Sequence, residues 1–360
     1  MPGYAIYRLP HESYATLVLQ TEGEPAELYS CTELNCKQGF VMAPFEVRQD
    51  QPILLIRPDK VERMPVSEIP SSVLPLPEVA SRHELSSSSS EREKSAMYYS
   101  IDFANFHSQL EQGTFRKIVL ARCADEPLSM HSPIELFCRA CALYPRMFIS
   151  LVNTAKSGCW LQATPEILLE GRNDGTWCTI ALAGTMKLEG EQLQSEGENA
   201  SWSTKNIQEQ RYVATYIAEC LEQFTDDFHE EGPSTMRAAD LVHLRSDFTF
   251  TLPGHDHIGD LLQTLHPTPA VCGLPKRESF QFIIRNEHTP RRYYSGFMGM
   301  LDPERETHLY VSLRCMNIEG GRCHLYAGGG LLKDSVLEQE WQETEAKLET
   351  MRRCIATRIK

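Results

Sequence analysis

Carboxylates on the inward faces of two long helical patterns are the side chains best placed to do chemistry in this sequence. Between Asn206 and Phe224, the residues Val213, Tyr216, Ile217, Cys220 and Phe224 recur at three- and four-residue spacing and define a buried stripe. Glu209 precedes Val213 by four positions and falls, at about 100° per residue, within roughly 50° of that stripe's centre. An inward carboxylate needs a partner, because an unpaired buried charge is costly; an ion pair at a helix edge and a metal ion both meet the need. The second pattern runs from Ser335 to Ile355 with Leu337, Trp341, Thr344, Leu348, Met351 and Ile355 as its stripe and Asp334 or Ser335 available as N-cap. Beside that stripe, Glu340, Glu343 and Lys347 share one face. Two carboxylates and a lysine suit an oxygen-ligated Mg²⁺ with an anionic substrate group, and equally a solvated salt-bridge face. The run Gly328 to Gly330 after a strand either lets backbone N–H groups approach an anion or makes a turn.

Such helices need sheets to hold them. KIVLAR, MFISLV, CWLQATPEILLEG, WCTIALAG, YYSGFMGML, HLYVSLRCMNI and RCHLYAG are short β-rich runs, and their succession with turn signals between them favours antiparallel pairing. Shorter helices are expected over Ile101 to Gln112 and Ser132 to Leu143. Residues 82–97, with five consecutive serines and a charge cluster, read as a flexible connection. It separates a β-rich N-terminal portion, residues 1–81 with GFVMAPFEV and PILLIRP, from a catalytic region over 98–360. The expected class is α+β, with large sheets covered by helices.

Composition limits the partners. The chain has 360 residues, 41% hydrophobic and 23% charged, which is enough apolar material for a large core. A net charge of -14 disfavours nucleic acid and anionic membranes but not a small anion held by local cations in a pocket. No apolar stretch reaches about 18 residues and the first twenty residues lack a signal-peptide pattern, so a cytoplasmic location is expected. The 12 cysteines are scattered singly through apolar runs and read as reduced core residues, with Cys138 and Cys141 packed in a helix.

Eight segments, FRKIVLAR, QATPEILLEG, ALAGT, KNIQEQRYV, TLHPTPAVCGLP, YVSLRCM, YAGGGL and EWQETEAKL, together resemble the chorismate-utilising enzymes, the family of anthranilate, aminodeoxychorismate, isochorismate and salicylate synthases. They follow the family's order over residues 113–351. The resemblance implies a chorismate-binding fold of two large antiparallel sheets packed together with helices outside. It also implies a Mg²⁺ held by Glu209 and Glu343 with Glu340 as a third or water-mediated ligand. Substrate contacts are implied at Gly184, Thr185, His243, Ala270, Arg314, Gly328 and Lys347.

Within that family the chain looks most like the water-adding isochorismate synthases. Ala183 stands where some aminating members carry a nucleophilic lysine, Lys117 matches the base of the water-adding members, and Ala270 fits the same group. The implied reaction adds water at ring carbon 2 and expels the hydroxyl at carbon 4. Lys117 is the implied base, which requires burial or a neighbouring cation to hold its amine below the usual lysine range, and Glu166 the implied acid. Menaquinone and siderophore biosynthesis are the pathways such an activity feeds. A salicylate synthase, which eliminates pyruvate afterwards, is the nearest alternative and an aminating synthase the next. A monomer without an amidotransferase partner is expected. Two residues depart from the family pattern: Gln210 replaces a histidine and Ser295 a glycine.

Overall fold

The computed structural model describes residues 3–70, 89–128, 131–187, 201–238 and 241–356. Two nine-stranded sheets, antiparallel throughout, form its centre. Across the first lie β14 (Gly273–Leu274), β7 (Lys117–Pro127), β18 (Arg322–Leu331), β17 (Cys315–Glu319), β9 (Gly158–Thr164), β8 (Phe148–Thr154), β1 (Tyr4–Arg8), β2 (Tyr14–Leu19) and β6 (Lys60–Pro65). Across the second lie β12 (Phe228–Ala238), β13 (Leu241–Thr251), β11 (Thr176–Lys187), β10 (Ile167–Gly171), β16 (Thr307–Val311), β15 (Phe297–Leu301), β4 (Gly39–Ala43), β5 (Ile53–Ile56) and β3 (Ala26–Leu28). The six helices are α1 (Ser89–Glu111), α2 (Pro133–Leu143), α3 (Thr204–Leu221), α4 (Ile258–Leu265), α5 (Lys276–Asn286) and α6 (Leu337–Ile355).

Burial on both sides of each sheet explains why so many strands read as continuous apolar runs. Between the sheets, Phe40, Phe148, Trp160, Tyr293, Met298, Tyr310 and Tyr326 form one cluster. Phe148 stacks on Tyr310 from the opposite sheet at 4.3 Å between centroids, a contact worth about 0.5–1.5 kcal/mol beyond the area it buries. The outer face of the first sheet is covered by α2 and α6 through Ile134, Phe137, Leu348 and Met351. That of the second is covered by α3 and α4 through Val213, Ile217, Leu261 and Leu265.

Local signals set the helix starts. Ser132 caps α2 by accepting from the Glu135 amide, Glu135 returns the bond, and Pro133 occupies the first turn. Ser203 caps α3 in the same way through the Asn206 amide.

Three features differ from the sequence expectation. Residues 82–88 of the expected connection lie outside the described residues, and from Ser89 on the chain is helical; the exposed charged residues Arg92, Glu93 and Lys94 of α1 form no apolar stripe that could have marked it. The edge strands β6 and β12 hold no fully buried residue among those described, so no apolar alternation marks them. β13 pairs on both sides and was hidden by its charged residues Arg245 and Asp247. His255 and His257 lie in the turn that precedes α4, and His257 bonds to Asp260 at 2.7 Å. All 12 cysteines are free; Cys141 is buried and Cys138 half-buried in α2. Among the described residues no helix is long and apolar enough to cross a membrane.

Candidate active site

The chain passes from one sheet to the other at Thr164–Ile167, between β9 and β10, and back at Val311–Cys315, between β16 and β17. These two crossings carry Glu166 and Arg314. They are tied together: the Val311 amide donates to the Glu166 carbonyl at 2.9 Å, and the Ala163 amide to the Arg314 carbonyl at 3.1 Å. Arg314 takes a positive φ of 45°, a conformation that costs a non-glycine residue of order 1 kcal/mol and turns the strand sharply. Two separate crossings thus hold an acid and a guanidinium at fixed relative positions.

Both side chains line a cleft with Leu182, Ala183, Gly184 and Thr185 of β11, His243 of β13, Ala270 and Val271, and Gly328 and Gly330 of β18. Glu209 and Lys347 complete its charged wall. Glu166 is 3% exposed, and burial pushes its carboxyl up to about 8 against the opposing pull of Lys117, Lys347 and Arg314. It is therefore a carboxylic acid at neutral pH, able to donate a proton into the cleft.

Arg314 and His243 form the second unit. A guanidinium only donates, so the 2.9 Å contact from Arg314 Nη2 makes His243 Nε2 an acceptor. The ring proton is consequently on Nδ1, which donates to the Gly184 carbonyl at 3.2 Å and faces Thr185 Oγ1 at 3.3 Å. Burial first, then Arg314, keep His243 neutral by holding it well below the ordinary histidine range. Gly184 interrupts the β11–β13 register between Ala183 and Thr185 with φ +73°, and an added Cβ would meet the Asn206 carbonyl oxygen at 3.0 Å. Burial lowers Arg314 only to about 10, so it stays charged.

Three glutamates and three lysines surround the end of β18. Lys117, fully buried at the start of β7, lies 3.0 Å from Glu209 Oε1 in an ion pair without directed hydrogen-bond geometry. Of the two conditions expected from the sequence, burial or a neighbouring cation, burial is present, while its immediate partner is a carboxylate. Lys347 Nζ donates to Glu343 Oε1 at 2.7 Å and to the Gly328 carbonyl at 2.8 Å. Lys205 bonds Glu340 Oε1. Despite burial, Lys117, Lys205 and Lys347 hold Glu209 below the usual glutamate range, whereas burial and then Glu343 raise Glu340.

The carboxylates converge on backbone without side chains. A Cβ on Gly329 would sit 3.2 Å from Glu340 Oε2 and 3.7 Å from Glu343 Oε1; on Gly330 it would sit 2.1 Å from Glu209 Oε1. Glu340 Oε2 is buried with no hydrogen-bond partner among the described residues. An orphaned carboxylate oxygen beside two further carboxylates is the donor set of a hard divalent cation, so these residues fit magnesium. The glutamates are not drawn together around one point as they stand: among the described residues the tight three-ligand grouping is Cys123, Asp125 and His324 on the β7–β18 face, far smaller in negative charge.

The model of the family described as chorismate binding enzyme matches residues 67–356. The chain is a chorismate-binding enzyme. It is 34% identical over 254 residues to the salicylate biosynthesis isochorismate synthase of Pseudomonas aeruginosa, covering 69% of this chain and 52% of that protein. To isochorismate synthase MenF of Escherichia coli K12 it is 33% identical over 248 residues, covering 68% and 56%. The chain thus aligns over little more than half the length of these curated relatives. The solved structure of MenF, the menaquinone-specific isochorismate synthase from Escherichia coli, superposes with a TM-score of 0.79 at 24% identity, covering 99% of this chain and 89% of that one, which shows the shared fold.

In this chorismate-binding enzyme, Gly184, Thr185, His243, Ala270, Arg314, Gly328, Lys347, Glu166 and Glu209 all line the one cleft. Lys117, Glu340 and Glu343 do not line it; they stand behind Gly329, Gly330 and Glu209. Sequence reasoning missed Lys205, whose ion pair with Glu340 joins α3 to α6, and Tyr294, whose hydroxyl would lie 2.7 Å from a Cβ on Gly328. The i, i+4 spacing of Lys205 and Glu209 was the available signal for the first. Gln210 is buried on the other side of α3, where its Nε2 donates to Ser246 Oγ at 2.7 Å, outside the cleft lining. Ser295 keeps the left-handed φ of 62° that glycine adopts at no steric cost.

Proposed function

We propose that this enzyme converts chorismate to isochorismate in a Mg²⁺-dependent reaction. The observation that carries the reading is Glu166: a buried carboxylic acid, protonated at neutral pH, facing a cleft whose other charged groups are cationic or paired. Hydroxide is a poor leaving group, so expelling the carbon 4 hydroxyl needs such an acid.

In this account Arg314 and Lys347 hold the two substrate carboxylates, with Arg314 aimed by the neutral His243 ring. Lys117 takes a proton from water as its oxygen bonds to ring carbon 2. The ring double bonds shift, the bond from carbon 4 to oxygen breaks, and Glu166 protonates the departing oxygen, so one water enters and one leaves. Magnesium, when bound by Glu209, Glu340 and Glu343, supplies positive charge that attracts a substrate carboxylate and competes with Lys117 for Glu209. The contact with Glu209 must open before Lys117 Nζ can reach water in the cleft.

Ala183 offers no side-chain nucleophile at the cleft wall, which argues against a covalent aminating route. Incubation with chorismate and Mg²⁺, with and without ammonium, followed by chromatographic identification of the product, tests the reading. Isochorismate in both reactions supports it; salicylate with pyruvate, or an aminated ring, replaces it.

A further inference from the structure

The three lysines that balance the three glutamates are not equivalent. Lys117 is fully buried, and Lys347, with a side chain 14% exposed, is held by a second acceptor in the Gly328 carbonyl. Lys205 is 27% exposed, and its hydrogen bond among the described residues is the one to Glu340 Oε1. It stands in the first turn of α3, one turn before Glu209, and reaches across to α6. The fields of Glu340, Glu209 and Glu343 together outweigh its burial and raise it above the ordinary lysine range.

We propose that Lys205 is an internal counter-cation seated on the carboxylates that take the metal, and that it must leave Glu340 before a divalent ion binds there. The inference rests on the reading of Glu209, Glu340 and Glu343 as the metal carboxylates. Its physical basis is simple. Three carboxylates against three ammonium groups sum to zero, so the metal-free cluster is already neutral. An ammonium and a divalent ion cannot share one carboxylate group at contact distance without strong repulsion in a buried setting. The most exposed of the three lysines, with no second acceptor among the described residues, is the one best able to move outward, and at the start of α3 its side chain can do so without unwinding the helix. The enzyme would thereby keep its glutamates paired when metal-free, at the expense of metal affinity.

Mn²⁺, followed by loss of the free-ion paramagnetic resonance signal, is the probe. Lys205→Met should tighten Mn²⁺ binding by about fivefold or more, while Lys205→Arg, which keeps the cation, stays near the unmodified enzyme. The metal-free Met variant should also melt lower and gain more from Mn²⁺ than the unmodified enzyme does. A second measurement needs no variant: acetylation of Lys205 by an amine-reactive ester, read by peptide mass spectrometry, should run several-fold faster with Mn²⁺ bound. Unchanged or weaker Mn²⁺ binding in the Met variant, or acetylation unaffected by Mn²⁺, overturns the inference. If the unmodified enzyme binds no Mn²⁺, the metal reading falls with it, whereas the identity of the product is judged separately by chromatography.

Discussion

Glu166 and Arg314 sit at two of the places where the chain crosses between sheets, and the Val311 amide bonded to the Glu166 carbonyl at 2.9 Å fastens one crossing to the other. The acid and the cation that line the cleft are therefore positioned by the sheet crossings themselves. That arrangement lets a buried carboxyl remain protonated while a buried guanidinium nearby stays charged.

Glu166→Gln should remove most turnover, on the order of 10²–10⁴-fold, because the amide cannot donate the proton. The unmodified enzyme should show kcat/KM falling above about pH 8, where the acid ionises. Stability carries the same signature. Because the folded-state value is raised, the contribution of Glu166 is complete below the unfolded glutamate value near 4.5 and is lost as pH rises through about 8. Chemical denaturation across pH 6 to 9 should show Glu166→Gln gaining stability relative to the unmodified enzyme as pH rises; parallel profiles would contradict the assignment.

Lys117→Met should abolish turnover and also destabilise the fold, since it leaves Glu209 buried without its nearest cation, a loss of about 3–5 kcal/mol. Thermal melts should show partial recovery with added Mg²⁺. Retained activity would remove Lys117 from the chemistry.

His243→Ala takes away the acceptor of Arg314 and the donor to the Gly184 carbonyl. Losing buried bonds of this kind costs about 1–3 kcal/mol, so KM for chorismate should rise about tenfold with a smaller change in kcat. Steady-state kinetics separates the two; a loss confined to kcat would place the histidine in the proton transfers instead.

How much of this was legible beforehand varies with the physical signal. α3 and α6 were readable because each carries an apolar stripe, and Glu209, Glu340 and Glu343 could be placed beside those stripes by angle alone. Glu166 could not be found that way: it lies in a sheet crossing, where neither period 2 nor period 3.6 applies, and only the resemblance of QATPEILLEG to a family segment singled it out. The lysine partners were hidden for another reason. Lys117 looks like an exposed strand lysine until β14, β18 and α3 are assembled around it, and Lys205 meets Glu340 across 135 residues of sequence. β13, which supplies His243, escaped notice because charged residues interrupt its alternation.

Gly330→Ala tests the packing of the wall formed by Glu209 and Lys117. Its Cβ would lie 2.1 Å from Glu209 Oε1 and 2.8 Å from Lys117 Cε, so one or both must move. Activity should drop at least tenfold, an effect of about 1.4 kcal/mol, with the Mg²⁺ requirement shifted to higher concentration. Gly254→Ala, at a position with nothing within 4 Å and no left-handed φ, is the control for a glycine change remote from the cleft.

The central claim is that water is added on one side of the ring while the original hydroxyl leaves through Glu166. Conversion of chorismate in H₂¹⁸O with Mg²⁺, followed by mass spectrometry of the product, tests it most directly. The account predicts isochorismate carrying one ¹⁸O, at carbon 2. Unlabelled isochorismate, or a product other than isochorismate, would contradict it.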